Sequence, residues 1–181
     1  MTRLSTAFLA ALVAPISWAQ QDFSQVQIQT TEISDGLYMM VGAGGNLALS
    51  VGEDGAFLVD DQYAPLSDKI MAAISEVTDD DVEFLVNTHW HGDHTGGNEA
   101  FGNAGAVIVA HDNTRVRMTT EQFFEIFSMS IPPAAAAAVP IVTFDDEMTF
   151  HLNGETIRAF HVGTAHTDGD LILHFENADV F

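Results

Sequence analysis

Thr88-His89-Trp90-His91-Gly92-Asp93-His94 is the stretch on which the fold turns. It gathers three imidazoles and a carboxylate directly after the apolar run Phe84-Leu85-Val86. Carried on as a strand, it would place His89, His91 and Asp93 on one face. Gly92 would then permit a turn that swings His94 towards the same point. Neutral imidazole and carboxylate are the nitrogen and oxygen donors that Zn²⁺ takes at about 2.0–2.2 Å, and the last histidine supplies donors enough for two ions. A His-rich loop can also be a solvated turn. Its place at the end of a buried strand favours a metal site.

Further along, Gly163-Thr164-Ala165-His166-Thr167-Asp168-Gly169-Asp170 follows a second apolar stretch, residues 157–162. A glycine-flanked histidine there is placed to complete a three-histidine site with His89 and His91. Together, H-x-H-x-D-H and the later G-x-x-H-T resemble the metallo-β-lactamase superfamily, over nearly all of the chain from about Ile33 to Phe181. That superfamily includes zinc β-lactamases, glyoxalase II-type thioesterases and lactonases. The resemblance implies an α/β fold, an αββα sandwich with metal at one edge. It makes His89, His91 and His166 ligands of a first zinc, and Asp93 and His94 ligands of a second. Asp93 would also orient the attacking water. Asp60 would hydrogen-bond the metal loop rather than touch metal, with Asp61 a competing assignment.

The family carries a further ligand, aspartate or cysteine, on the strand after residues 171–175, and a histidine much later. Neither has a counterpart before Phe181, and Asp179 falls in the turn before that strand. The expectation is a partial sequence: one metallo-β-lactamase-like domain over residues 20–181, its second half incomplete. Residues 1–19 read as a secretory signal peptide. Arg3 is the positive start, residues 8–13 an apolar core too short to span a bilayer, and Ser17-Trp18-Ala19 a small-x-small cleavage site. This reading places the protein in the periplasm or outside the cell.

Asp and Glu number 26 against 5 Lys and Arg, a net charge of −21. So acidic a surface repels phosphate backbones and anionic lipid, which argues against nucleic-acid or membrane partners and leaves a small-molecule substrate. The chain has no cysteine, so an exported form has no disulfides and relies on its core, which 47% hydrophobic residues can supply. Every visible metal donor is nitrogen or oxygen.

The remaining pattern alternates strands and helices. Residues 25–32, 37–41, 46–51 and 56–59 are β-rich, the last two joined by Gly52-Glu53-Asp54-Gly55, a hairpin signal. Gly42, Gly44 and Gly45 mark a turn rather than a phosphate loop. Leu66, Ile70, Ala73, Ile74 and Val77 recur at helical spacing. A short helix is expected near Phe101, a strand at 106–110, and a helix near Asn113 that His111 caps or precedes. Residues 120–129 are too apolar for a free surface helix. They pack on the core or line the cleft, with packing favoured. Residues 132–138 look like low-complexity loop. Residues 148–152 pair with 156–162 across Asn153-Gly154. His151 and His174 read as surface histidines, and His161 as a group behind the second motif.

The function that the resemblance implies is an exported zinc-dependent hydrolase, opening an amide, lactam, ester or thioester bond with metal-activated water. Export favours β-lactam substrates, which act outside the cytoplasm. Two alternatives stand beside it. One is an iron-dependent sulfur dioxygenase of the same fold. The other is a non-catalytic metal-binding remnant with an unfinished sheet edge.

Overall fold

The computed structural model describes residues 22–125 and 128–181. The signal-peptide reading over residues 1–19 lies outside the described residues, as do Ile126 and Phe127 of the apolar segment.

Four short β-rich runs form an antiparallel meander: β1 (Gln29–Ser34), β2 (Leu37–Val41), β3 (Leu47–Gly52) and β4 (Gly55–Val59). The chain then crosses through helix α1 (Ser67–Ser75) to β5 (Val82–Val86), parallel to β4. A one-turn helix α2 (Gly92–Thr95) and α3 (Asn98–Ala104) lead to β6 (Val107–His111). Beyond it come α4 (Asp112–Thr119), a small hairpin β7 (Gln122–Phe124) and β8 (Met129–Ile131), and β9 (Val142–Phe144). Strands β1 to β6 and β9 make one seven-stranded sheet, parallel from β4 to β9. A second, antiparallel sheet holds β10 (Glu147–Leu152), β11 (Glu155–His161) and β12 (Leu171–Phe175). The turn between β10 and β11 is the one expected: Asn153 and Gly154 both take positive φ, as a tight two-residue hairpin loop requires.

The core lies in two layers, one on each face of the large sheet. Ala56, Leu58, Leu85 and Ile108 point to one side, where they pack with Leu66, Ile70 and Ile74 of the α1 region and Phe101 of α3. Their strand neighbours Phe57, Val59, Val86 and Val109 point to the other side, against Phe150, Ile157, Ala159, Leu173 and Phe175 of the second sheet. Period-two alternation therefore appears as two buried faces, because helices cover one side of the parallel strands and a sheet covers the other. Phe57 sits at the centre of the inter-sheet layer, with edge-to-face contacts to Phe150 at 5.0 Å and Phe175 at 6.3 Å between ring centres.

Three expectations need correction. Of the apolar segment at 120–129, the described residues do not pack on the core; β7 and β8 pair at the surface, and Phe123 is 62% exposed. The alanine-rich stretch is more than a loose loop. Ala136–Ala138 form a 3-10 turn, Ala138 is buried, and Gly102 of α3 lies so close to the Ala137 carbonyl that a side chain there would collide. The metal motif is not a strand either. β5 ends at Val86, and Asn87 turns inward to exchange hydrogen bonds with Asn98, both fully buried. Asn87 Nδ2 also donates to the His94 carbonyl at 3.3 Å, so this amide pair carries the metal loop out of the sheet.

Candidate metal centre

The parallel strands β4, β5 and β6 end on the same side, where their carboxyl ends leave a crevice. β4 delivers Asp60 and Asp61 there, and β5 delivers Thr88 and His89. His91 then caps α2 in an extended conformation, with Asp93 and His94 in its single turn. The loop of residues 163–170 between β11 and β12 brings His166 from the second sheet.

One nitrogen from each of His89, His91 and His166 lies within 4.8 Å of the others. His91 Nδ1 and His166 Nε2 stand 2.9 Å apart. Two nitrogens on a common tetrahedral zinc at 2.0–2.1 Å stand about 3.3 Å apart, so the rings are already near a ligand geometry. Burial pushes the His89 imidazole down to about 4, with neighbouring His94 adding to the effect. Burial, then His166, also lowers His91. Both rings are thus neutral at pH 7, the form that coordinates metal.

Asp60 organises the loop, as expected. Thr88 N donates to its Oδ1 at 2.7 Å, while Thr88 Oγ1 and His94 Nδ1 each donate to Oδ2 at 2.7 Å. With its hydrogen given to Asp60, Thr88 Oγ1 accepts from His89 Nδ1 at 3.1 Å, which leaves His89 Nε2 unprotonated and free for a ligand. His94 is fixed the same way, with Nδ1 on Asp60 and Nε2 3.6 Å from the Asp93 carboxylate. Burial acts to lower the His94 imidazole, but the Asp60 hydrogen bond and charge outweigh it and hold it above its ordinary value. Asp61 plays a different part: its Oδ1 accepts from Gly97 N at 2.7 Å, and Oδ2 is buried without a donor among the described residues. Burial raises the Asp61 carboxyl well above the usual range, against the pull of Gly97, with the Asp60 charge adding to the rise. Asp60 and Gln62 both hold left-handed backbone, φ 60° and 57°, an uncommon conformation for these side chains.

Two supports were not foreseen in the sequence. Gln62 Oε1 accepts from Ala43 N, and its Nε2 donates to the Gly45 carbonyl at 2.6 Å, which presses the glycine turn against the site. A side chain on Gly45 would strike the His94 ring. The second is α4, which grips the His166 loop: Asn113 Nδ2 donates to the Asp168 carbonyl at 2.6 Å, and Arg117 Nη2 to the Asp168 carboxylate at 2.8 Å. No periodicity in the sequence marks these residues.

The other histidines fall elsewhere. His111 caps α4, accepting from Asn113 N at 3.1 Å. His161 stacks on His111 at 3.9 Å and donates through Nδ1 to the Asp170 carbonyl, behind the second motif. His151 is exposed, and His174 stacks on Phe181.

A profile of the metallo-β-lactamase superfamily matches residues 40–181. The chain belongs to the metallo-β-lactamase superfamily. Solved structures agree on the fold. A metallo-β-lactamase from Cronobacter sakazakii superposes with a TM-score of 0.70 at 20% identity, covering 81% of this chain and 57% of that one. A subclass B3 metallo-β-lactamase of Bradyrhizobium japonicum gives 0.67 at 18% identity, covering 82% and 62%. A class B3 di-zinc metallo-β-lactamase from an Alaskan soil metagenome gives 0.70 at 19% identity, covering 82% and 57%. This metallo-β-lactamase-fold chain thus spans somewhat over half the length of the structures it resembles. No helix among the described residues is long and apolar enough to cross a membrane.

Proposed function

We propose that this chain carries the metal centre of a zinc-dependent hydrolase that opens a carbonyl–heteroatom bond, with β-lactam ring opening the favoured activity. The observation that carries the reading is the convergence of His89, His91 and His166, with His89 held in the tautomer that leaves Nε2 free. A zinc ion there supplies Lewis acidity and a water whose pKa falls to about 7. His94 and Asp93 would hold a second ion. The Asp93 carboxylate, partly exposed on α2, would also orient the attacking water.

A cleft of about 310 Å³ opens beside His91 and His166, walled by Trp90, Phe123 and Phe124. It seats the acyl side of a small substrate, while the acidic surface turns nucleic acid away. The N-terminal signal reading supports work in the periplasm or outside the cell, where β-lactams act. The named function of the structural neighbours, β-lactam hydrolysis, supports the same choice.

The test is metal analysis and turnover on the full-length protein. Zinc bound at sub-micromolar affinity, lost in His89→Ala and His166→Ala, together with chelator-sensitive hydrolysis of a chromogenic cephalosporin, a lactone or a thioester, is the expected result. Iron in place of zinc, with oxygen uptake on a persulfide, would overturn it in favour of a dioxygenase.

A further inference from the structure

We propose that Arg117 is a positioning residue that fixes two walls of the cleft at once: the loop carrying His166 and the aromatic lip at Phe123 and Phe124. The inference rests on the reading of His166 as a metal ligand.

The loop of residues 163–170 has no helix or strand of its own, and His166 at its crest is exposed. Asp170 ties it internally, accepting from His166 N at 2.5 Å and Thr167 N at 3.0 Å. That bond sets the loop's shape but not its place relative to His89 and His91. Leu171 N, just past the loop, donates to the Thr88 carbonyl at 2.8 Å and fixes that end beside His89; the Asp168 side is held by α4. Arg117 donates through Nε and Nη2 to the Asp168 carboxylate, two residues from His166, at 3.2 and 2.8 Å. Asn113 holds the Asp168 carbonyl, and Gly169 packs so close to Thr114 that a Cβ would lie 2.6 Å from its Oγ1.

The third arm of the same guanidinium reaches the opposite wall. Arg117 Nη1 donates to Gln122 Oε1 at 3.1 Å, and Gln122 Nε2 returns a bond to the Arg117 carbonyl at 3.1 Å. Gln122 opens β7, so this pair sets where the next two residues stand. Phe124 then lies 5.3 Å from the Trp90 ring and 6.0 Å from His91. A planar fork with five donors can hold a carboxylate and an amide together; an ammonium on a flexible stem cannot hold both in fixed geometry. The pair is also half exposed, where an ion pair adds little to global stability. Its effect therefore falls on position, and through position on metal affinity and substrate fit.

Zinc affinity of the full-length protein, read by competition with a chromogenic chelator, tests the first wall. Arg117→Met and Asp168→Asn each weaken zinc by roughly tenfold or more, in the range for groups that orient metal ligands. The double variant is no worse than either single one, because both break one link. Arg117→Lys recovers part of the loss. Arg158→Met, which breaks a comparable surface pair with Glu147 and Glu176, leaves zinc affinity unchanged. Trp90 fluorescence of the metal-free protein, in a Trp18→Phe background, tests the second wall. It shifts to the red in Arg117→Met and stays in place in Asp168→Asn.

If Arg117→Met binds zinc as the parent does while His166→Ala does not, the Arg117 proposal is wrong and the metal reading stands. If His166→Ala itself leaves zinc unchanged, the metal reading fails and takes the first wall with it. An unshifted Trp90 spectrum in Arg117→Met overturns the second wall. A general loss of melting temperature, shared with Arg158→Met, would reduce Arg117 to an ordinary structural residue.

Discussion

Asp60 Oδ2 lies 2.7 Å from His94 Nδ1 and accepts its hydrogen, which turns the far nitrogen of that ring towards Asp93. The same carboxylate takes the Thr88 hydroxyl and so fixes His89. One buried acid thus sets the tautomers of histidines on both sides of the centre. Asp60→Ala is expected to weaken the second zinc equivalent by roughly 10–100-fold. It should also lower the His94 titration point in metal-free protein, because the hydrogen bond and charge that raise it are gone. Stepwise zinc titration and histidine NMR read these separately. A second equivalent bound as tightly as before would remove Asp60 from the support of the site.

Gly45 makes a sharper steric probe. Its backbone runs against the His94 ring, so Gly45→Ala should displace His94 and spare His89, His91 and His166. One zinc equivalent is then retained and the second lost. Metal counting on dialysed protein checks it, and two equivalents retained would mean the ring can give way.

Asp61 carries a pH signature. Its carboxyl titrates well above 3.8 in the native state, because burial disfavours the charge. Between 3.8 and that raised value the native state binds more protons than the unfolded one, so this group's contribution to stability falls as pH rises. Asp61→Asn removes the dependence. Urea midpoints from pH 4 to 8 should show the variant gaining on the parent towards neutral pH. Parallel curves would show that Asp61 titrates as an ordinary surface acid.

Phe57 is fully buried between the sheets. Phe57→Ala should cost about 3–5 kcal/mol of unfolding free energy, from lost transfer and the cavity left behind. Urea denaturation measures it. A loss below about 1 kcal/mol would mean that the second sheet closes onto the gap.

Much of the frame was legible because it is written in local signals. Asn153-Gly154 can only be a tight turn between alternating runs, and the H-x-H-x-D-H order marks a ligand cluster wherever it sits. The path of these histidines was not legible. Alternation suggested that β5 continues through His91, but the strand ends at Val86, because Asn87 is needed inside to pair with Asn98. An amide that binds another amide 11 positions away leaves no periodic trace. Phe123 and Phe124 misled in the other direction. Apolar residues argue for burial, yet these line an open cleft, which sequence hydrophobicity does not distinguish from a core. Arg117 was silent for a similar reason: a lone arginine on a short helix gains meaning only when Asp168, 51 residues on, folds against it.

The left-handed backbone at Asp60 and Gln62 sets a limit on how this protein can be hardened. Selection for heat resistance alone would put glycine at both positions and relieve the conformation. Glycine at 60 would remove the acceptor that aims His94, and glycine at 62 would release the turn at Gly45. Gains in durability must therefore come from elsewhere, such as the exposed lip or the outer strands, while these two positions stay under tension for the sake of the metal site.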